Sequence, residues 1–248
     1  MAAAGSVLVR THEVLRKKAR PGVTTAELDE AAERFIRSQG GEPAFKGYRG
    51  FPGSICASPN SMVVHGIPGA YELKRGDLLS IDIGVILNGW VADAAITHPI
   101  GNVTPIAQRL LATTKAALFD AVDQCVPGNR LGDVSHAVQT RVESEGFGVI
   151  RSLVGHGIGR QMHEDPQVPN FGTPGTPPRL KAGMTLAIEP MVNAGSHEVY
   201  MKPDGWTICT VYGALSAYFE HTVAITDKGP LILTAQPGSN GHGLVRPV

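Results

Sequence analysis

Apolar and β-branched residues run almost without interruption from 78 to 97, and the break falls at Asn88-Gly89. An Asn-Gly pair between two such runs is typical of a type I′ turn, because both residues tolerate the positive φ angles that this turn requires. The pattern therefore predicts a β-hairpin with a two-residue loop. In such a hairpin Leu87 faces Trp90, and the numbers of paired residues sum to 177.

This register puts two acidic residues on one face of the hairpin. Asp82 pairs with Ala95 and Asp93 pairs with Gly84, so the aspartates are diagonal neighbours with backbones about 7–8 Å apart. One face is thus predicted to hold a pair of carboxylates while the other packs against apolar side chains. The apolar face has no charged residue and consists of Ile81, Ile83, Val85, Leu87, Trp90, Ala92, Ala94 and Ile96.

Apolar residues three and four positions apart predict helices on both sides of the hairpin. Pro-Gly and Gly-Gly pairs end these stretches, and side-chain caps begin two of them. The predicted helices cover residues 3–19, a segment from the Thr24–Glu27 capping box to Gly40, a long segment that is capped by Thr104, begins at Pro105 and stops at Pro127-Gly128, and residues 132–145.

Three similar segments recur in the same order in the two halves of the chain, which predicts an internal duplication. The duplication makes Asp82 the counterpart of Glu189 and His65 the counterpart of His156. A site between the halves would then collect acidic and imidazole groups from both, and pockets favour such junctions. The matching segments are 21–40 with 127–146, 64–67 with 155–158, and 74–82 with 181–189.

The composition excludes several classes of protein. The 248 residues carry 22 Lys and Arg against 22 Asp and Glu, a formal net charge of +0 that gives no electrostatic footprint for nucleic acid. No apolar run approaches the ~20 residues of a membrane span, and no signal peptide opens the chain. Cys56, Cys125 and Cys209 are odd in number and widely spaced, as in a reducing compartment. We expect a cytoplasmic protein with a single domain over 1–235 and a flexible tail over 236–248.

The two carboxylates of the hairpin must be neutralised. At ~4 Å and an effective dielectric constant near 20, their repulsion amounts to about 4 kcal/mol. Either they share a proton or a cation lies between them. The hairpin alone leaves both possibilities open, together with the plainer one that one aspartate points to solvent or caps a turn.

The second half supplies further acidic and imidazole groups in strand-like or glycine-rich sequence. Together with the hairpin aspartates, two glutamates make four carboxylates, which balance two divalent cations in formal charge. Such ligands suit Mn, Fe(II), Co or Zn better than copper, and two such ions would lower the pKa of a shared water. Spacing alone does not decide whether His65, His156 or His163 supplies the nitrogen. The candidate ligands are Asp82, Asp93, His156, Glu189 and Glu220.

Through these residues the chain resembles the type I methionine aminopeptidases, metallopeptidases of the pita-bread fold. The match extends from Pro21-Gly22 to Thr226-Asp227. The resemblance implies an α+β fold in which an internally duplicated antiparallel sheet has helices packed on its outer face. It is carried by Val64-His65-Gly66-Ile67-Pro68, Ile81-Asp82, the segment Gly89 to Asp93, Gly155-His156-Gly157-Ile158-Gly159-Arg160, His163-Glu164, Ile188-Glu189-Pro190-Met191 and Glu220-His221-Thr222.

The resemblance also implies a cofactor and its ligands. The cofactor is two divalent metal ions, drawn from Co, Mn, Fe(II), Zn and Ni. Asp82 would chelate one ion, Asp93 and Glu220 would bridge both, and His156 and Glu189 would complete the other.

Catalytic and substrate-binding roles follow from the same resemblance. His163 would stabilise the developing oxyanion, Glu189 would shuttle a proton, and His65 would contact the scissile amide nitrogen. The α-amino group of the substrate would bind near Asp82 and Asp93. Aromatic and thioether groups make favourable contacts with a methionine sulfur. The implied methionine pocket is lined by Phe45, Tyr48, Phe51, Cys56, Met162 and Trp206.

The chain departs from the family pattern at several positions. Arg49 stands where histidine is expected, Phe51 and Phe219 stand where tyrosine is frequent, and Val91-Ala92 precede Asp93 where His-Gly is common. None of these departures removes a proposed ligand. They change the polarity of the pocket.

The implied function is removal of the initiator methionine from nascent proteins when the second residue is small. The partners are then nascent polypeptide N-termini near the ribosome, without nucleic acid or membrane, and the enzyme is expected to be a monomer. Two alternatives stay open. An X-Pro aminopeptidase or prolidase has the same fold but generally carries an extra N-terminal domain, and a metal-free binding protein on this scaffold usually lacks the ligands.

Overall fold

A computed structural model describes residues 1–235. The tail predicted over 236–248 lies outside the described residues, and the single domain ending at 235 stays a prediction. The helices are α1 Ala2–Lys18, α2 Thr25–Ser38, α3 Pro105–Asp123 and α4 Leu131–Ser144. The strands are β1 Glu42–Pro43, β2 Cys56–Pro59, β3 Met62–Val64, β4 Leu78–Leu87, β5 Trp90–Pro99, β6 Gly148–Val149, β7 Val154–Gly157, β8 Glu164–Pro169, β9 Thr185–Ile188, β10 Met191–Asn193, β11 Val199–Met201, β12 Ile208–Thr210, β13 Ser216–Tyr218, β14 His221–Thr226 and β15 Gly229–Ile232.

Two larger sheets and two smaller ones make up the β-structure, and the strand pairs within residues 1–235 are all antiparallel. In the first large sheet β4 pairs with β5 along one edge and with β2 and β1 along the other. The second has the order β15-β14-β9-β7-β8. The smaller sheets have the orders β13-β10-β6 and β11-β12-β3.

The predicted hairpin is confirmed residue by residue. β4 and β5 pair from Leu87 opposite Trp90 outward, with Asp82 opposite Ala95 and Asp93 opposite Gly84. Asn88 and Gly89 both have positive φ angles, 52° and 70°, as a type I′ turn requires. The register is therefore determined by the turn.

The apolar face of the hairpin packs against α1 and α2, which cover the outer side of the first sheet. Leu8 and Leu15 of α1 and Leu28 of α2 share one buried cluster with Ile81 and Ile83 of β4. Burying side chains of this size stabilises the fold by about 1.5–3 kcal/mol each. The tip of the hairpin differs from the prediction: Trp90 is 37% exposed, and the guanidinium of Arg160 stacks 3.9 Å from its ring centroid.

The helix signals also correspond to the observed ends. Thr24 and Glu27 form the predicted capping box at α2. The Thr104 side chain accepts a hydrogen bond from the Ala107 amide at the start of α3. α3 ends at Asp123, before the predicted Pro127-Gly128 stop.

Two helices pack on each half of the chain. α2 and α4 have 14 residues each, and α3 and α4 pack on the second half through a separate buried cluster, as α1 and α2 pack on the first. The mixed helix and sheet architecture with helices on the outer side agrees with the predicted fold class.

One detail of the predicted duplication is wrong, because His65 is not the structural counterpart of His156. If β9 repeats β4 as the matched segments indicate, Ala187 corresponds to Ser80. His156 lies opposite Ala187, whereas Ser58 lies opposite Ser80. His65 follows β3 instead, with a φ of 57°. The short His-Gly-Ile similarity between the two segments is therefore not matched by equivalent positions in the paired strands.

Two buried threonines join the halves in a reciprocal way. The hydroxyl of Thr222 in β14 accepts a hydrogen bond from the Asp93 amide at 2.9 Å and donates to the Asp93 carbonyl at 2.7 Å. In the other direction the hydroxyl of Thr97 in β5 accepts from the Tyr218 amide and donates to the Tyr218 carbonyl, both at 2.8 Å. These contacts connect the carboxylate-bearing strand of the first half to the start of β14.

Among residues 1–235, none of the helices combines the length and the apolar character needed to span a bilayer. The three cysteines are free and buried.

Candidate metal centre and adjoining pocket

The inner face of the hairpin carries the first two acidic residues of the site. Asp82 and Asp93 are 8% and 4% exposed, and burial, followed by the charge of Asp82, raises the pKa of Asp93 well above its ordinary value. Two buried carboxylates that repel each other favour a proton on one of them when no cation is present. The sequence left open a shared proton or a cation, and the geometry allows either.

Three residues of the second half join this pair. Glu189 directly follows β9, Glu220 lies between β13 and β14, and His156 belongs to β7. One possible ligand atom from each of Asp93, His156 and Glu220 lies within 4.8 Å of the others. His156 Nε2 is 3.6 Å from Glu189 Oε1. The five predicted metal ligands therefore meet in one place.

The tautomer of His156 suits a ligand. Its Nδ1 donates a hydrogen bond to the Gly157 carbonyl at 2.8 Å, so Nε2 of the neutral ring has a free lone pair. Burial lowers the pKa of His156 to about 4, which keeps the ring neutral near pH 7. A backbone carbonyl behind a metal-binding histidine is the usual arrangement for fixing the ring.

The charged forms of the four carboxyl groups are destabilised by burial and by mutual repulsion. Burial, as the largest cause, raises the pKa of each group well above its ordinary value, and repulsion from the neighbouring carboxylates raises it further. This is the expected behaviour of acids packed together without a compensating cation. Divalent cations would remove this repulsion by neutralising the negative charge of the carboxylates. The four groups belong to Asp82, Asp93, Glu189 and Glu220.

Buried carboxylate oxygens that have no hydrogen-bond partner indicate whether these residues could bind such cations. Asp82 Oδ1, Asp93 Oδ1 and Glu220 Oε1 are buried and have no hydrogen-bond partner among residues 1–235. Buried carboxylate oxygens without a partner are costly. A set of free carboxylate oxygens beside a free imidazole nitrogen is the donor set of a hard or borderline divalent metal. The residues present fit the predicted metal ions.

A cavity of about 180 Å³ opens directly onto this cluster. It is smaller than the ~300–1,000 Å³ clefts that hold drug-sized ligands, so it suits one side chain and the adjacent peptide bond. Phe51 and Trp206, two of the lining residues, pack edge to face with ring centroids 5.1 Å apart. The predicted substrate residues among its lining are Phe45, Tyr48, Phe51, Cys56, His65, His163 and Trp206.

Met162 differs from the prediction. It does not line this cavity but is buried with Ala44, Val91 and Ile158, in a cluster against which Phe45 packs from the pocket side. Met162 therefore backs the pocket wall. Glu220 is also absent from the cavity lining, because its side chain lies beneath the surface.

The two outer histidines lie beside the cluster. His163 packs on His156 with ring centroids 4.3 Å apart, and its Nδ1 is 2.8 Å from the Tyr48 hydroxyl. Burial lowers the pKa of His163, and the positive charge of Arg49 lowers it further. Burial also lowers the pKa of His65, with a smaller effect from His163. Both rings are thus favoured in their neutral form.

Tyr218 is a residue that the sequence did not single out. Its hydroxyl donates to Glu220 Oε2 at 2.5 Å and lies 3.4 Å from Glu189 Oε2. Tyr218 also lines the cavity. Its position two residues before Glu220 puts it on the same face of an extended strand, and that spacing was the available signal.

Comparisons with known proteins agree with this geometry. A family model for metallopeptidase family M24 matches residues 1–227. Methionine aminopeptidase 1 of Bacillus subtilis (strain 168) is 54% identical over 94% of this chain and 94% of its own length. The crystal structure of methionine aminopeptidase from Thermotoga maritima has a TM-score of 0.94 at 45% identity and covers 95% of both chains. Prolidase from Pyrococcus furiosus has a TM-score of 0.78 at 22% identity over 95% of this chain but 62% of its own, a likeness of fold alone.

Proposed function

This chain belongs to metallopeptidase family M24, and we propose that it works as a methionine aminopeptidase that removes an N-terminal methionine by metal-assisted peptide hydrolysis. It has the pita-bread fold and is a hydrolase that uses divalent metal ions. One observation carries the proposal: four buried carboxyl groups and a neutral histidine converge at a small, aromatic-walled cavity.

The proposed metal ligands are the five residues of the cluster. Asp82, Asp93, His156, Glu189 and Glu220 would hold the two ions between them. The unpartnered carboxylate oxygens and the free Nε2 of His156 support their role as ligands. Divalent ions bound there would supply a nucleophile from water near neutral pH by lowering the pKa of that water.

The two outer histidines are assigned to the scissile peptide bond, His163 to its carbonyl oxygen and His65 to its amide nitrogen. With its pKa lowered, the His163 ring is neutral, and we assign the Tyr48 hydroxyl as the donor to its Nδ1, which leaves the proton on Nε2. That N–H can donate to the carbonyl oxygen as negative charge develops on it, which is how an oxyanion is stabilised. His65, which also lines the cavity, contacts the scissile amide nitrogen.

Glu189 is the proposed proton shuttle. Its carboxyl group lines the cavity beside His156 Nε2, where it can accept a proton and release it again. The α-amino group of the substrate would bind near the carboxyl groups of Asp82 and Asp93, which line the cavity. A free amino terminus is thus selected over an internal peptide bond.

The aromatic wall accounts for selection of methionine. Phe45, Phe51 and Trp206 offer ring faces and edges to an unbranched thioether side chain, and Cys56 adds a second sulfur. The limited cavity volume agrees with a small second residue in the substrate.

The substrates are nascent protein N-termini. We propose that the enzyme meets them near the ribosome, in the cytoplasm, as a monomer. The free, buried cysteines support a reducing compartment.

The test is metal-dependent release of methionine. The full chain, stripped with a chelator and reloaded with Mn(II) or Co(II), should release methionine from Met-Ala-Ser peptides and should leave Ala-Pro peptides intact. Preference for Ala-Pro would instead favour an X-Pro peptidase. Calorimetric titration of the stripped protein with Mn(II) separates the remaining alternative, because a metal-free binding protein would show no binding.

A further inference from the structure

Arg49 occupies an unusual turn at the rim of the cavity. It lies in a short 3-10 turn, Tyr48–Gly50, with φ 50° and ψ 23°, and glycines with positive φ flank the turn at Gly47 and Gly50. A left-handed conformation costs a residue with a side chain about 1–2 kcal/mol. Backbone strain of this kind clusters at functional sites. The strained turn directs the Arg49 side chain to the cavity, where it forms part of the lining.

A row of rings connects this guanidinium to the metal cluster. The His163 ring packs on His156, the Tyr48 ring stacks on His163 with centroids 5.5 Å apart, and the Arg49 guanidinium lies 5.4 Å from the Tyr48 centroid. The guanidinium therefore lies at the outer end of a row of three packed rings that begins at the metal cluster.

The positive charge of Arg49 has no anionic partner within the chain as described. In residues 1–235 no salt bridge or hydrogen bond involves its guanidinium, and no other Lys or Arg lines the cavity. The four carboxyl groups of the cluster do not need this cation, because two divalent ions balance them. Arg49 is therefore a free cation at the entrance of a site that binds peptides.

The distances indicate which part of a peptide it reaches. The two outer steps, from His163 to Tyr48 and from Tyr48 to Arg49, span at most about 11 Å, and an extended peptide advances about 3.3 Å per residue. Arg49 thus lies up to about three residues beyond the first peptide carbonyl, which His163 contacts in the proposed mechanism. This upper limit includes the second, third and fourth residues of the substrate, and because the second residue is small in the proposed function, an acidic side chain can be accommodated at the third or fourth.

We propose that Arg49 binds a carboxylate on the third or fourth residue of the peptide and gives the enzyme a preference for substrates that are acidic there. This rests on the proposed aminopeptidase function. A guanidinium is a suitable group for the purpose, because its planar N–H pairs match a carboxylate in a bidentate geometry. The contact involves the released part of the peptide, so it selects among N-termini that share the same first two residues.

The experiment measures kcat/KM for C-terminally amidated peptides with the Mn(II)- or Co(II)-loaded full chain. The peptides are Met-Ala-X-Ser-Ser-Gly and Met-Ala-Ser-X-Ser-Gly, with Asp, Asn or Lys at X. An exposed charge pair is worth up to about 1 kcal/mol, so we expect Asp to exceed Asn by about two- to five-fold at one or both positions. The ratio should decrease as salt is raised, because the Debye length shortens to about 10 Å at 0.1 M.

Variants identify the residue responsible. In Arg49→Gln the Asp-to-Asn ratio should fall to about one, and in Arg49→Glu the order should reverse so that Lys exceeds Asp. Arg34→Gln is the matched control, since Arg34 is exposed on α2 and does not line the cavity; it should keep the wild-type ratio. A free-acid Met-Ala-Ser tripeptide compared with its amide tests whether a C-terminal carboxylate substitutes for the acidic side chain.

The outcomes separate the two proposals. Equal kcat/KM for Asp, Asn and Lys peptides in the wild-type enzyme overturns the role of Arg49 and leaves the aminopeptidase function intact. A preference for Asp that persists in Arg49→Gln overturns it as well. If none of the peptides is cleaved by the loaded enzyme, the proposed function itself fails.

Discussion

Removing the hydroxyl of Thr222 is a direct test of the hydrogen bonds that join the two halves. This hydroxyl is completely buried, and it accepts from the amide and donates to the carbonyl of Asp93, a proposed metal ligand. Valine has nearly the same shape as threonine, but its side chain neither accepts nor donates a hydrogen bond. Thr222→Val therefore removes both hydrogen bonds with little change in packing.

The expected cost follows from the two groups left without partners. The Asp93 amide and carbonyl point away from β4, since Gly84, opposite Asp93, directs its own carbonyl to the Ala44 amide. A buried polar group that loses its partner costs about 1–3 kcal/mol. For two groups we expect Thr222→Val to lower the free energy of unfolding by about 2–5 kcal/mol. Because Asp93 is no longer held, metal affinity should fall about 10- to 100-fold.

Two further variants make the measurement decisive. Thr114 is equally buried, but its hydroxyl donates to the Leu110 carbonyl one helical turn earlier, so Thr114→Val leaves no buried amide without a partner. It should cost under about 1 kcal/mol and leave metal affinity unchanged. Thr97→Val, the reciprocal change, should cost at least as much stability as Thr222→Val, because it leaves the amide and carbonyl of Tyr218 and also the Ser80 hydroxyl without this partner.

The assays are urea unfolding of the metal-free proteins and calorimetric titration with Mn(II). The argument is refuted if Thr222→Val loses no more stability than Thr114→Val and binds Mn(II) with wild-type affinity. Loss of stability without loss of affinity would show that Asp93 keeps its place without the hydroxyl.

Three other predictions concern the site and the core. Glu220→Ala should lower bound metal and activity together, whereas His163→Ala should keep the metal and lose rate; metal analysis beside kcat checks this, and the reverse pattern would exchange their roles. Tyr218→Phe removes the hydroxyl that donates to Glu220 Oε2 and should weaken Mn(II) binding about ten-fold by calorimetry, with wild-type affinity as the contradicting result. Burial of His12 lowers its pKa to about 4, so the unfolded chain binds more protons between that value and about 6.5. Stability from neutral His12 is complete above about pH 6.5 and is lost as the pH falls to about 4, by about 3 kcal/mol in total. Urea unfolding across that range should show a smaller pH dependence in His12→Gln, and an equal dependence would contradict the assignment.

Local features of the hairpin were available in the sequence. The Asn88-Gly89 turn and the alternation of apolar residues determine the strand register, and with it the side of the sheet on which Asp82 and Asp93 lie. Caps such as Thr24 with Glu27 are equally local. These predictions succeeded because each depends on a few neighbouring residues whose backbone preferences agree.

The family and its activity were also predicted from sequence, through motifs spread over the chain, and the matches to family M24 and to methionine aminopeptidases confirm both. Similarity of short segments was a weaker guide to structure. His65 and His156 share flanking residues, yet strand pairing shows that Ser58 corresponds to His156. The residue roles at the site stay proposals.

What only the tertiary structure decided is how side chains from separate strands face one another. Met162 backs the pocket wall, Tyr218 reaches two glutamates, and Arg49 lies at the rim without an anionic partner. The spacing of Tyr218 from Glu220 was a signal in the sequence, but its contact with Glu189 depends on how separate strands pack, and no motif predicts the positions of Met162 and Arg49. By itself the sequence determined the elements, the register of the hairpin and the chemistry of the candidate ligands. The packing of one half against the other determined which of those groups share a charge environment, since burial and electrostatic repulsion act through space and not along the chain.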